Sequence, residues 1–292
     1  MAPPGGLAGK AGVAAIAPPG SVRLALGAGG ARGLAHIVVL EALDELGLRP
    51  SAIAGSSMGA VVGAAYAAGL SGRDLRAFIL SAFRRRPVVL ARLLSARVGR
   101  LTQIVSKSGL GNPVLLDGER LLDLFWPEAV PDRFESLSIP FTAIATDFHQ
   151  RTELALSTGA LTPAVGASMA LPGVVRPVVL GGRVLIDGGA TNPVPWNHVE
   201  AEGAFVIAVD VTGGARAIEA AVPEPIEAMF GASQIMMGAL VQRMVERRPP
   251  DLLLRPAVGA FAGLNFFKAQ EILAASEPMR DEIKRAIERV LG

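Results

Sequence analysis

Apolar residues fall in short blocks separated by glycine and proline, and the spacing within the blocks changes along the chain. Residues 21–26 alternate and then run apolar, the pattern of a buried strand, and lead into Gly27-Ala28-Gly29-Gly30-Ala31-Arg32-Gly33. Beyond that loop Leu34, Ile37, Val38, Leu40, Leu43 and Leu46 recur at helical spacing, and Gly47 closes the helix. Residues 52–55 form a second apolar strand, which passes through Gly55-Ser56-Ser57-Met58-Gly59 into a small-residue helix over 60–68. Strand, glycine turn and helix thus occur twice in succession. Two neighbouring parallel strands would carry both turns at one carboxyl edge of a sheet.

The remaining pattern continues the mixture. Helices are expected over 72–83, 118–124, 160–170, 225–247 and 278–291, with a loop at 109–113. Strands are expected over 140–146, 183–186, 205–211 and 251–254, and 153–156 has the pattern to pair near the first of these. Met236, Met237 and Met244 sit at helical spacing and read as core packing. Arg84, Arg85, Arg86, Arg92, Arg97 and Arg100 punctuate Val, Leu and Ala. Such a run reads either as a solvated face with long stems over apolar surface or as an amphipathic element on a membrane.

Composition narrows the class. Of 292 residues 51% are hydrophobic and 18% charged, enough for a large buried core. The net charge of +2 dictates no nucleic-acid partner, so any basic effect is local. Cysteine is absent and the three histidines show no metal-ligand spacing, which argues against a zinc enzyme. Residues 1–20 are rich in Ala, Gly and Pro and read as a disordered tail before one domain over 21–292. Pro18 and Pro19 cut short the only apolar run there, so no secretory signal is read and a cytoplasmic location is expected. The uncharged stretch 51–72 is Ala-, Gly- and Ser-rich and contains the serine turn, so a buried helix is expected there.

Ser57 stands at the apex of G-x-S-x-G, where a strand turning into a helix strains the apex residue and requires bare neighbours. Its hydroxyl then projects from the sheet at a helix N-terminus, a nucleophile's position. A plain tight turn is the alternative. The first glycine loop lacks the small residue and downstream acid of a dinucleotide fingerprint, and Gly-Lys-Ser/Thr of a phosphate loop. Consecutive bare amides at a helix start would suit an oxyanion. Asp187-Gly188-Gly189 places a carboxylate at a strand end, or forms an ordinary hairpin turn. Ser57, Asp187 and His198 have the order of a Ser-acid-His triad, although His198 follows Pro193, Pro195 and Trp196 at an apparent helix start. Spacing alone leaves these readings open.

Four ordered motifs resemble the patatin-like phospholipases: Gly29-Gly30-Ala31-Arg32-Gly33, Gly55-Ser56-Ser57-Met58-Gly59, Ala167-Ser168-Met169-Ala170-Leu171-Pro172-Gly173, and Asp187-Gly188-Gly189 followed by Asn192-Pro193-Val194-Pro195. The similarity covers about residues 21–212 and is greatest to bacterial proteins related to neuropathy target esterase. It implies a three-layer α/β fold with a central, mostly parallel sheet and helices on both faces. It further implies a Ser57-Asp187 dyad without histidine, an oxyanion hole at Gly29, Gly30 and Ala31, a lipid ester substrate, and neither metal nor cofactor. The rivals are a triad esterase using His198 and a non-catalytic lipid-binding regulatory protein. Two departures stand out: Ala28 replaces a loop glycine, and Phe148-His149-Gln150-Arg151 replaces Leu-x-Thr-Gly.

Overall fold

In the computed structural model, which describes residues 21–84, 97–98, 115–214, 222–223 and 225–291, alternate strand residues feed two separate apolar clusters. Leu24, Leu26, Ile53, Ile207 and Val209 point into one, and Ala25, Ala54, Val206 and Ala208 into the other. A strand turns successive side chains to opposite faces, so a sheet covered on both sides reads as a continuous apolar run. This is why residues 24–26, 52–55 and 205–209 lack polar alternation.

The strands are β1 (Val22–Leu26), β2 (Ala52–Ser56), β3 (Arg97–Val98), β4 (Leu115–Leu116), β5 (Phe141–Asp147), β6 (Thr152–Leu156), β7 (Val178–Leu180), β8 (Arg183–Asp187), β9 (Phe205–Val209) and β10 (Leu252–Leu254). The main sheet runs β10-β9-β1-β2-β5-β8-β7, with β6 paired to β5. Pairs among β10, β9, β1, β2 and β5 are parallel, whereas β6, β7 and β8 join antiparallel. The fold is therefore α/β with a central, mostly parallel sheet and helices on both faces. β3 and β4 form a separate two-residue pair.

Helices α1 (His36–Glu45), α2 (Met58–Ala67) and α3 (Gly72–Arg84) cover the first face together with helices Ala269–Ser276 and Pro278–Leu291. Charged groups tie this layer together: Glu41 on α1 accepts from Arg76 on α3 at 2.6 Å and from Arg280 at 2.7 Å. The long helix Pro225–Arg247 and the turn Trp196–His198 cover the second face through Val241, Met244 and Trp196. The Trp196 indole is buried and donates to the Arg248 carbonyl at 3.0 Å.

The expected helices and strands are present where the structure describes them. The tail 1–20 and the loop 109–113 lie outside the described residues, as does most of the arginine stretch 84–100. Helix Ala269–Ser276 and strand β7 were not expected, because neither has a long enough periodic block to stand out. Met236 corrects the core reading of the methionines, since it is 66% exposed. Met244 packs against the second cluster as expected. Phe148-His149-Gln150-Arg151 forms the turn between β5 and β6, with the Asp147 carboxylate accepting from the His149 and Gln150 amides. Arg151 has φ 56, a left-handed conformation suited to the glycine that the resembled motif carries there. That departure thus falls at a position of backbone strain.

Candidate active site

The register of three strands brings the serine turn and Asp187 together. On β5, Ile144 pairs with Ser56 of β2, and the next residue, Ala145, pairs with Asp187 of β8. β8 enters antiparallel where β2 ends, so its last residue meets the residue that follows β2. Ser57 Oγ donates to Asp187 Oδ2 at 2.6 Å. Asp187 Oδ1 accepts from the Gly189 amide at 2.8 Å, which fixes the other carboxylate oxygen. Thr146 Oγ1 donates to the Asp187 carbonyl at 2.9 Å and holds its backbone.

Ser57 has φ 54 and ψ −121, a strained conformation for a residue with a side chain. It can turn this sharply because Gly55 and Gly59, two residues to either side, carry no side chain. A Cβ on Gly59 would lie 2.0 Å from the Leu26 carbonyl oxygen, so only glycine lets α2 start this close to β1. The Ser57 amide donates to Ser168 Oγ at 3.0 Å, and that hydroxyl donates to the Ile144 carbonyl at 2.5 Å. The sequence pattern marked Ser168 only as part of a motif and gave no sign of this contact.

Ser57 and Asp187 are both buried. Burial pushes the Asp187 carboxyl up to about 6, against the opposing hydrogen bonds from Ser57 and Gly189. It is ionised at neutral pH yet more basic than an ordinary carboxylate.

The glycine loop lies at the same edge because β1 and β2 are in register, Leu26 against Gly55. Ala28 donates its amide to the Pro193 carbonyl at 2.7 Å, and its methyl group is buried, so the substituted loop still closes. Gly30 has φ 58, and a Cβ there would sit 2.1 Å from the Gly263 carbonyl oxygen. The amides of Gly29 and Gly30 donate to no acceptor outside the turn among the described residues. Ala31 differs from expectation: its amide donates to the Gly263 carbonyl at 2.7 Å and is already occupied. The segment that provides this acceptor lies more than two hundred residues away in sequence, so the local motif carried no sign of it.

Neither nearby histidine contacts Asp187. His198 Nε2 is hydrogen-bonded to Glu153 Oε1, a different carboxylate. His36 is fully buried, with Nε2 against the Gly27 carbonyl at 2.8 Å, and burial pushes it down to about 4. It braces the glycine loop as a neutral ring. The long helix approaches the site from the second face: a Cβ on Gly189 would lie 2.7 Å from Met237 Sδ. A cavity of about 310 Å³ bordered by Arg49, Ser51, Gly69, Ser138 and Pro140 opens at the starts of β2 and β5, the sheet edge opposite Ser57.

The family model for patatin-like phospholipase matches residues 24–199, a span that contains the glycine loop, Ser57 and Asp187. The chain belongs to the patatin-like phospholipase family. Its relatives include an uncharacterized NTE family protein of Mycobacterium bovis, 40% identical over 193 residues, which are 66% of this chain and 49% of that protein. A lysophospholipase NTE1 of Kluyveromyces lactis is 29% identical over 192 residues, 65% of this chain and 12% of that protein. The chain thus spans about half the length of the first of these relatives and far less of the second. Among solved structures, VipD of Legionella pneumophila superposes with a TM-score of 0.51 at 15% identity, covering 94% of this chain and 68% of that one. This likeness in fold covers residues beyond the segment matched by the family model. Among the described residues, no helix is long and apolar enough to cross a membrane.

Proposed function

We propose that this patatin-like protein is a serine lipid acyl hydrolase that cleaves carboxylic esters of phospholipids or lysophospholipids through a Ser57-Asp187 dyad. The observation that carries the reading is the 2.6 Å bond from Ser57 Oγ to Asp187 Oδ2, in a buried setting beside a glycine turn. Asp187 takes the hydroxyl proton as Ser57 attacks the ester carbonyl, then passes it to the departing alcohol. Water attacks the acyl-enzyme with Asp187 again as base. In this reading the oxyanion is held by the amides of Gly29 and Gly30, and the Ala31 amide is left out because Gly263 occupies it.

A carboxylate is a weak base in water, and the dyad depends on a site that keeps water out. Burial raises the basicity of Asp187 without neutralising it at pH 7. The His198 contact with Glu153 disfavours the triad alternative, since the imidazole is oriented by a carboxylate other than Asp187. The Kluyveromyces lactis relative is named a lysophospholipase, which supports the substrate class here. Peripheral contact with a membrane belongs to the same reading, because the substrate resides in or leaves a lipid surface.

The test is a lipid panel of phospholipids, lysophospholipids, acylglycerols and short p-nitrophenyl esters, run on wild type beside Ser57→Ala. Fluorophosphonate labelling identifies the nucleophile. Turnover retained by Ser57→Ala, or labelling at another residue, would reject the assignment.

A further inference from the structure

The parallel ladder between β2 and β5 stops one bond short, and a side chain occupies the gap. The Ile53 amide donates to the Pro140 carbonyl at 2.9 Å. A parallel ladder repeats every two residues, so the same series reaches the Ser57 amide and the Ile144 carbonyl. Those two groups do not bond directly. The fully buried Ser168 hydroxyl lies between them, accepting from the Ser57 amide at 3.0 Å and donating to the Ile144 carbonyl at 2.5 Å. Inserting an oxygen into the ladder parts the two backbones at the residue where β2 must leave the sheet.

The same short segment also holds the other member of the dyad. Two residues beyond Ser168, the Ala170 carbonyl accepts the Asp187 amide at 3.0 Å. The end of helix Leu161–Ser168 therefore grips both amides, one through a side chain and one through the backbone.

We propose that Ser168 is a positioning residue, whose hydroxyl splices the β2–β5 ladder and so sets the Ser57 backbone against Asp187. This rests on the dyad reading above, but it makes a separate claim. The Ser168 side chain is fully buried, and a methyl group in place of its hydroxyl leaves one amide and one carbonyl without partners. The Ser57 turn then relaxes toward the ordinary ladder, and its hydroxyl moves off the carboxylate.

The experiment compares wild type, Ser168→Ala and Ser168→Thr, with thermal unfolding to verify folding. One readout is hydrogen exchange at the Ser57 amide, which does not depend on activity. The other is kcat and KM for a short p-nitrophenyl ester, with kcat counted per fluorophosphonate-labelled site. Ser168→Ala should exchange faster at Ser57 and lose roughly 10- to 100-fold in kcat while KM stays within about threefold, the range for a small misplacement of reacting groups. Ser168→Thr keeps the oxygen and should recover most of both. Unchanged exchange in Ser168→Ala, or unchanged kcat per labelled site, would overturn the proposal. Wild type without esterase activity would instead reject the dyad reading, and exchange alone would then judge the splice.

Discussion

Ser57 and Asp187 lie 130 residues apart in sequence and share a 2.6 Å hydrogen bond, because β8 joins β5 at the position directly after the end of β2. Removing the basic oxygen while keeping the shape should separate chemistry from fold. Asp187→Asn is expected to fold and to lose roughly 10²- to 10⁴-fold in ester turnover, the range for a lost general base. His198→Ala should remain within a few-fold of wild type, since its partner is Glu153. A folded His198→Ala protein without activity would restore the triad.

The same carboxylate links activity to pH. kcat/KM for a neutral ester should fall on the acid side with an apparent pKa near 6, as Asp187 takes up a proton. A profile flat down to pH 4.5 would contradict this.

Stability should move in the opposite direction. The Asp187 carboxyl is raised from 3.8 to about 6 by burial, so between those values the folded chain keeps a proton that the unfolded chain has released. This contribution is present below the lower value and is lost as pH rises through the window, reaching about 3 kcal/mol at pH 8. Asp187→Asn has no such loss. Its melting temperature should exceed that of wild type at pH 8, with the advantage shrinking toward pH 4; an equal difference at both would show that the carboxylate is not destabilised by burial.

Gly30 is expected to tolerate no side chain. Its φ of 58 and the Gly263 carbonyl leave no room for a Cβ, so Gly30→Val should distort the turn that presents the Gly29 and Gly30 amides. If those amides hold the oxyanion, kcat falls by about 10²-fold or more while KM changes little. Loss of lipid binding with kcat retained would make the loop a head-group site.

Arg151 offers a stabilising change outside the dyad. It sits at φ 56 in the β5–β6 turn, where a side chain is disfavoured. Arg151→Gly should raise stability by about 1 kcal/mol in denaturant unfolding and leave kcat unchanged. A destabilised variant would mean that the arginine side chain makes a contact worth more than the strain it brings.

The sequence by itself determined the repeated strand, glycine turn and helix, since buried parallel strands need apolar residues on both faces and sharp turns need bare ones. It also marked Ser57 and Asp187 through motifs whose local backbone demands are written in adjacent residues. Only the tertiary structure decided which partners those residues meet. The occupied Ala31 amide depends on Gly263, the His198 ring on Glu153, and the Ser57 amide on Ser168, all contacts between segments distant in the chain. Met236 was misread for the same reason: helical spacing shows that a face is apolar, but what packs against that face is set by neighbouring elements, and none among the described residues covers Met236. Local periodicity records how a segment folds, whereas hydrogen-bond partners across the sheet follow from strand register.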